Sequence, residues 1–402
     1  MGNLKTAKEF IEQESKFGAH NYHPLDVVLS RGEGVYVWDV EGNKYMDFLA
    51  AYSAVNQGHN HPAIVKALKD QCDELTLTSR AFRNDKFPPL LEKLSNMTGF
   101  DKVLMMNTGA EAVETAIKAA RKWGYEKKGI PTDQAEIITC LGNFHGRTTT
   151  IIGFSDDPGT TSGFGPFTPG FLSVPYGDLD AMAKAITPNT CAILVEPIQG
   201  EGGVVVPPAG YLKGLREICD KNNVLLFVDE IQAGLGRTGK LFSFEHEGIK
   251  PDGVTIGKAL SGGLYPVSAF LADDAVMDVF TPGTHGSTYG GNPLACAVAS
   301  AALDVLVDEQ LIEKSANMGA YLLKAVNDLN SPHIKEVRGK GLWIGVELHP
   351  EAGGARKFCE ALGEEGLLCK ETHTHTIRLA PPLVINQEEL DWAIEKLKKV
   401  LA

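Results

Sequence analysis

Between about residues 61 and 290, short apolar runs alternate with helical stretches, and this rhythm constrains the fold more than any other feature of the chain. The runs are Val103 to Met106, Ile137 to Cys140, Cys191 to Glu196, Val224 to Asp229, Val254 to Ile256 and Val267 to Leu271. Strand-sized runs joined by helix-length connections predict an α/β fold whose mostly parallel sheet is covered by helices on both faces. In such a sheet the carboxyl ends of the strands face the ligand crevice, so the residues just past each run are where chemistry is expected.

The flanks read differently. Up to about residue 60 a polar helix gives way to alternation, with Val35, Val37 and Phe48 around the turn Glu41-Gly42-Asn43, which predicts a hairpin. Asn292-Pro293 supplies a cap and a first-turn proline for a helix running to about Val307. A smaller α+β unit follows, with strands expected at Gly341 to Leu348 and Thr376 to Ala380 and a closing amphipathic helix from Gln387 to Leu401. At 402 residues the chain is too long for a single core. The expected division is an N-terminal segment, 1–60, joining the small domain; a large domain, 61–290; and a C-terminal small domain, 291–402, that includes the connecting helix.

A formal charge of −13 without a basic stripe argues against nucleic acid or an anionic membrane as partner. Seven cysteines with no CxxC pair suit a reducing compartment. Met1 to Glu14 mixes Lys5, Lys8, Glu9, Glu12 and Glu14, unlike a secretory or transit segment, and no uncharged apolar stretch reaches spanning length. A cytoplasmic protein is therefore expected. His59-Asn60-His61 and His373-Thr374-His375 have metal-like spacing but no convincing third ligand, so no metal is expected.

Several groups of residues fall at the predicted strand ends. Lys258 follows Val254-Thr255-Ile256-Gly257, and Asp229 ends the neighbouring run, so an amine and a carboxylate sit together as a cofactor needing a covalent amine and a counter-charge would require. Pyridoxal phosphate meets both requirements. Thr108-Gly109-Ala110 opens a helix after a strand; small residues there leave N–H groups for an anion, although simple capping by Thr108 uses the same geometry. Phe144 could stack on a flat ring and Arg147 could fork to a carboxylate, while core packing and a surface ion pair are the plain alternatives. Gly234-Leu235-Gly236-Arg237-Thr238-Gly239-Lys240 matches GxGxxG and nearly a P-loop. Leu241 stands where a P-loop needs Ser or Thr, and no clear helix follows, so this reads as a glycine-rich loop beside the crevice.

Taken together, Phe144-His145-Gly146-Arg147-Thr148, Val228-Asp229-Glu230-Ile231-Gln232, Gly236-Arg237-Thr238-Gly239, Gly257-Lys258-Ala259-Leu260-Ser261-Gly262-Gly263 and His285 through Pro293 resemble the signatures of class III, fold-type I aminotransferases dependent on pyridoxal 5'-phosphate. Gly18 to Pro24, Ala51 to His59 and Thr78 to Phe82 are most similar to the ornithine δ-aminotransferases within that class. The resemblance implies a homodimeric enzyme that moves the δ-amino group of L-ornithine to 2-oxoglutarate, giving glutamate 5-semialdehyde and glutamate. It implies that Lys258 binds the cofactor and shuttles a proton, with Asp229 on the ring nitrogen, Phe144 stacked on the ring and Gln232 on the phenolic oxygen. Gly109, Ala110 and Ser287 would complete the cofactor contacts, together with Thr288 from a second subunit.

For the substrates it implies Tyr22, Tyr52 and Arg147 around ornithine, and Arg378 for the second carboxylate of 2-oxoglutarate. Glu201 would mask Arg378 during the ornithine step, because an unpaired buried guanidinium costs about 3–5 kcal/mol. Two positions depart from the pattern. His145 and Gly202 stand where animal ornithine enzymes usually have tryptophan and alanine, and both resemble acetylornithine aminotransferases; that activity, or another class III ω-aminotransferase, is the alternative reading. Tyr22 and Tyr52 favour ornithine, since the acetylated substrate has no free α-amine to hold. The transit extension of mitochondrial homologues is not seen, which fits the cytoplasmic expectation.

Overall fold

The computed structural model describes residues 6–402. Lys5, part of the charged opening segment, lies outside the described residues. A helix at Ala7–Phe17 leads to three strands, β1 (Leu29–Glu33), β2 (Tyr36–Asp39) and β3 (Lys44–Asp47). The predicted hairpin is β2 to β3, and Asp39 explains why the chain turns here: its Oδ1 accepts the N–H groups of Glu41 and Asn43 at 2.9 and 2.8 Å.

The large sheet contains β4 (Lys102–Met106), β5 (Glu136–Cys140), β6 (Phe171–Val174), β7 (Thr190–Val195), β8 (Leu225–Asp229), β9 (Gly253–Ile256) and β10 (Ser268–Ala272), in the order β4-β10-β9-β8-β7-β5-β6. Strands β5 to β9 run parallel, as the rhythm predicts. Strand β10 is antiparallel to both β4 and β9, a reversal that an apolar run cannot announce. Strand β6 has no counterpart among the expected strands: a four-residue edge strand with two exposed positions is too short and too wet to stand out in the sequence. Strands β7, β8, β9 and β10 are buried at every position, as central strands covered on both faces must be.

The helix Gly109–Trp123 crosses this sheet. Thr108 and Glu111 form a capping box at its start, and Ala112, Ala116, Ala119 and Ala120 are buried, small enough to bring the helix close to the strands. The helix Pro293–Asp308 starts where predicted, with Asn292 Oδ1 accepting the Ala295 N–H at 2.9 Å.

The C-terminal part adds β11 (Ile334–Gly339), β12 (Ile344–Leu348), β13 (Leu367–Leu368), β14 (Lys370–Thr372) and β15 (Thr376–Leu379). β13 pairs with β3, tying the first 50 residues to the C-terminal part. The others form an antiparallel sheet in the order β11-β12-β15-β14. The strand expected from Gly341 begins only at Ile344, because Gly341 has φ +56° and any Cβ there would lie 2.5 Å from the Thr238 carbonyl carbon. This contact locks the glycine-rich loop against the C-terminal sheet. The closing helix spans Gln387–Leu401 as predicted, capped by Asn386. Among the described residues, no helix is long and apolar enough to cross a membrane.

Candidate active site

Strands β8 and β9 are neighbours in register, Asp229 beside Thr255. Asp229 is buried and its carboxylate is fixed by three donors: His145 Nδ1 at 2.7 Å, Thr255 Oγ1 at 3.0 Å and Ile231 N–H at 3.1 Å. Past the end of β9, Lys258 starts a one-turn helix with φ +41°, an unfavourable backbone state for a residue with a side chain. Burial lowers the Lys258 pKa below its ordinary value, with Asp229 and Glu201 opposing. A desolvated amine in this position loses its proton more readily and becomes a nucleophile.

Lys258 and Asp229 line a cavity of about 190 Å³ with Gly109, Ala110, Phe144 and Gln232. Gly109 and Ala110 occupy the first helical turn, where N–H groups have no intrahelical acceptor. A Cβ on Gly109 would lie 3.1 Å from Ile231, narrowing the cradle. Arg147 is exposed, its guanidinium 5.5 Å from the centre of the Phe144 ring. An amine, a buried carboxylate, an aromatic wall and free N–H groups in one cavity fit the aldehyde, ring nitrogen, ring face and phosphate of pyridoxal 5'-phosphate.

Farther along, Arg378 on β15 is buried at 2 % exposure. Its Nη1 donates to Glu201 Oε1 at 2.9 Å and to Gln232 Oε1 at 3.1 Å, while Nη2 donates to the Gly200 carbonyl at 3.3 Å. Burial works against the Glu201 charge, yet Arg378 holds the carboxyl below its ordinary range. Tyr52 packs its ring 5.1 Å from the guanidinium. Residues Ala50, Ala51, Tyr52 and Ser53 all have positive φ, a left-handed turn without glycine that aims the tyrosine. Each such residue costs about 1–2 kcal/mol, so the turn persists because its surroundings hold it.

The other predicted residues fall around this core. Tyr22 is 82 % exposed and does not line the cavity. Ser287 Oγ accepts from Asn107 Nδ2 at 2.8 Å, just before the Thr108 cap. Thr288 is exposed and does not line the cavity of its own chain. His59 and His61 face different carboxylates, Asp47 at 2.7 Å and Glu309 at 2.8 Å.

Sequence reasoning missed several cavity residues. His145 was noted for its identity alone; its contact with Asp229 holds its pKa above the ordinary value even though burial pulls the other way. Glu196, at the end of a predicted strand, is buried, which pushes its carboxyl up to about 7. It accepts the N–H groups of Phe144 at 2.9 Å and Gly200 at 3.3 Å, bridging the ring-facing and Glu201-bearing loops. A carboxylate ending an apolar strand beside Asp229 was the available signal for it.

Residues 17–401 match the family model for class-III aminotransferases. An ornithine aminotransferase of Brevibacillus brevis is 60 % identical over 391 residues, covering 97 % of each chain. Among solved structures, an ornithine aminotransferase of Toxoplasma gondii superposes with a TM-score of 0.98 at 47 % identity, covering 99 % of this chain and 95 % of that one. An acetylornithine aminotransferase of Elizabethkingia anophelis gives a TM-score of 0.90 at 51 % identity, covering 99 % of both. The chain belongs to the class-III aminotransferases, pyridoxal-phosphate enzymes of the α/β fold described above.

Proposed function

We propose that this enzyme transfers the δ-amino group of L-ornithine to 2-oxoglutarate in two successive half-reactions, releasing glutamate 5-semialdehyde, which cyclises to pyrroline-5-carboxylate, and glutamate. The observation that carries the reading is the buried Arg378 guanidinium paired with Glu201 at 2.9 Å. Ornithine has one carboxylate and 2-oxoglutarate has two, so a site serving both must hide one cation in the first step and expose it in the second. Glu201 is 35 % exposed, which leaves its side chain room to move away.

Pyridoxal 5'-phosphate, when bound, supplies an aldehyde carbon that carries the amino group between substrates and a ring that accepts the electron pair. Gly109 and Ala110 N–H groups would hold its phosphate, Phe144 its ring face, Asp229 its protonated nitrogen and Gln232 its phenolic oxygen. The Lys258 amine, favoured in its neutral form by burial, takes a proton from the amine-bearing substrate carbon and would hand it to the cofactor's aldehyde carbon, on the far side of the transferred nitrogen. His145, Thr255 and the Ile231 N–H keep Asp229 aligned. Arg147 binds the α-carboxylate and Tyr22, with Tyr52, the α-amino group, so the δ-amine is the end that reaches Lys258. When 2-oxoglutarate enters, Glu201 swings aside and Arg378 takes the second carboxylate.

The same reading extends to assembly and location. A homodimer with shared sites accounts for the outward placement of Thr288 and Tyr289, with Thr288 reaching the partner's phosphate. The unpaired cysteines, six buried and Cys72 exposed, suit the cytoplasm. The chain would divide into a joining segment, 1–60, a large domain, 61–290, and a small domain, 291–402.

The similarity to an acetylornithine enzyme, together with His145 and Gly202, supports one alternative, transfer from N-acetylornithine. The test is a donor panel. Purified enzyme with 2-oxoglutarate and ornithine, N-acetylornithine or 4-aminobutyrate is assayed for glutamate, and for pyrroline-5-carboxylate with ornithine. Ornithine is expected to be the best donor by specificity constant; a preference for N-acetylornithine or 4-aminobutyrate would reject the substrate assignment and leave the family standing.

A further inference from the structure

We infer that Thr372, backed by Arg338, is a positioning residue that fixes the backbone of Glu201, so that this residue can act as a side-chain switch; the inference rests on the masking of Arg378 proposed above. The hairpin of β14 and β15 grips residue 201 at both ends. Arg378 on β15 takes the carboxylate, and the Thr372 hydroxyl on β14 donates to the Glu201 carbonyl. The register Thr372 opposite Thr376 and Lys370 opposite Arg378 fixes the spacing of the two grips. Thr372 is 5 % exposed, so water does not compete for its hydroxyl.

Two residues farther on, Arg338 of β11 holds the same loop. Its Nε and Nη2 both donate to the Gly203 carbonyl, at 3.1 and 2.8 Å, while its Nη1 is held by Glu347 and by Glu336. Gly203 has φ +108°, and a Cβ there would lie 3.0 Å from Arg338 Nη2, so a side chain would strain the backbone and crowd the guanidinium. On the upstream side, Gly200 is tied by its N–H to Glu196 at 3.3 Å and by its carbonyl to Arg378 at 3.3 Å. The backbone around Glu201 is therefore anchored before, at and after the residue. Anchoring matters because the mask works when the carboxylate returns to one place after every turnover; a mobile loop would leave Arg378 bare for part of the time, and the substrate lacking a second carboxylate would suffer for it.

The test is single-turnover kinetics of the two half-reactions, with ornithine and with glutamate as donor, followed by the cofactor's absorbance in the holoenzyme. Thr372→Val should lower the ornithine rate constant divided by its half-saturating concentration about three- to ten-fold, the effect of one lost hydrogen bond, and change the glutamate value less than about two-fold. Thr372→Ser, which keeps the hydroxyl, should restore the ornithine value. Arg338→Lys, which cannot present the same fork to one carbonyl, should give the same asymmetry. The double variant Glu201→Ala/Thr372→Val should be no worse than Glu201→Ala, because a clamp on an absent carboxylate has nothing left to position. A loss shared equally by both half-reactions in Thr372→Val, or full additivity in the double variant, would overturn the inference while Glu201→Ala still splits them. Equal losses from Glu201→Ala itself would bring down both the masking and the clamp.

Discussion

Gly200 offers a quantitative test of the site, because the residue lies outside the left-handed region and an added methyl group acts by volume alone. A Cβ at this position would sit 2.4 Å from Gln232 Nε2, 2.7 Å from Gln232 Cδ and 2.8 Å from Trp343 Cζ2. Trp343 is fully buried and cannot retreat, and Gln232 is engaged by Arg378. Relief must come from moving Gln232, which breaks its bond to the guanidinium, or from shifting the loop. Overpacking costs about 1–3 kcal/mol and a lost hydrogen bond to a charged group about 1.5–3 kcal/mol, so Gly200→Ala should destabilise the protein by roughly 2.5–6 kcal/mol when Gln232 is displaced.

Gly202→Ala is the control, two residues away. Its Cβ would meet Gln199 Cβ and the Gly142 carbonyl at 3.3 Å, a crowding that small shifts absorb, so the expected cost is under about 1 kcal/mol. Urea unfolding of both variants with an unchanged m value reads the difference directly. Steady-state kinetics should add a weaker half-saturation by 2-oxoglutarate for Gly200→Ala, since Arg378 loses its neighbour. Equal midpoints for the two variants would refute the packing argument at this loop.

Other outcomes follow from individual residues. Lys258→Ala should fold normally by circular dichroism yet lose at least about 10²–10⁴-fold in the ornithine half-reaction, and retention of wild-type rate would remove it as the proton carrier. Tyr22→Phe should weaken ornithine more than 4-aminobutyrate, which has no α-amine; unchanged selectivity in the donor panel would dismiss Tyr22 as the reader. Glu230 is buried, with Oε1 accepting the Phe244 N–H at 3.0 Å and Oε2 unpartnered, and burial pushes its carboxyl up to about 8. Its contribution is fully present below about pH 4.5 and is lost as pH rises towards 8, by up to about 1.4 kcal/mol per unit. Glu230→Gln should therefore gain stability over the wild type progressively across that window, and parallel pH curves for the two would contradict this.

Strand-forming runs, helix caps and the alternation of elements are local properties, which is why the parallel core of the large sheet and the helices from Gly109, Pro293 and Gln387 were legible beforehand. So was the juxtaposition of Lys258 and Asp229, because adjacent parallel strands must deliver their ends to one edge. The direction of β10 and the existence of β6 were not legible, since an apolar run carries no sign of its orientation and a four-residue edge strand barely differs from a loop. His145 on Asp229 and Glu196 between two loops escaped for another reason: their partners lie 84 and 52 residues away, and a hydrogen bond across that separation leaves no local pattern.

The sequence by itself determined the α/β class and which residue types stand at the strand ends, because backbone preference and hydrophobic period act between near neighbours. Only the tertiary structure decided how the Glu201 loop is held, with Arg378 and Thr372 on one hairpin, Arg338 behind it and a left-handed turn aiming Tyr52. Those positions are set by long-range packing, which can keep a strained turn and a buried charge in place when many separate contacts outweigh their local cost.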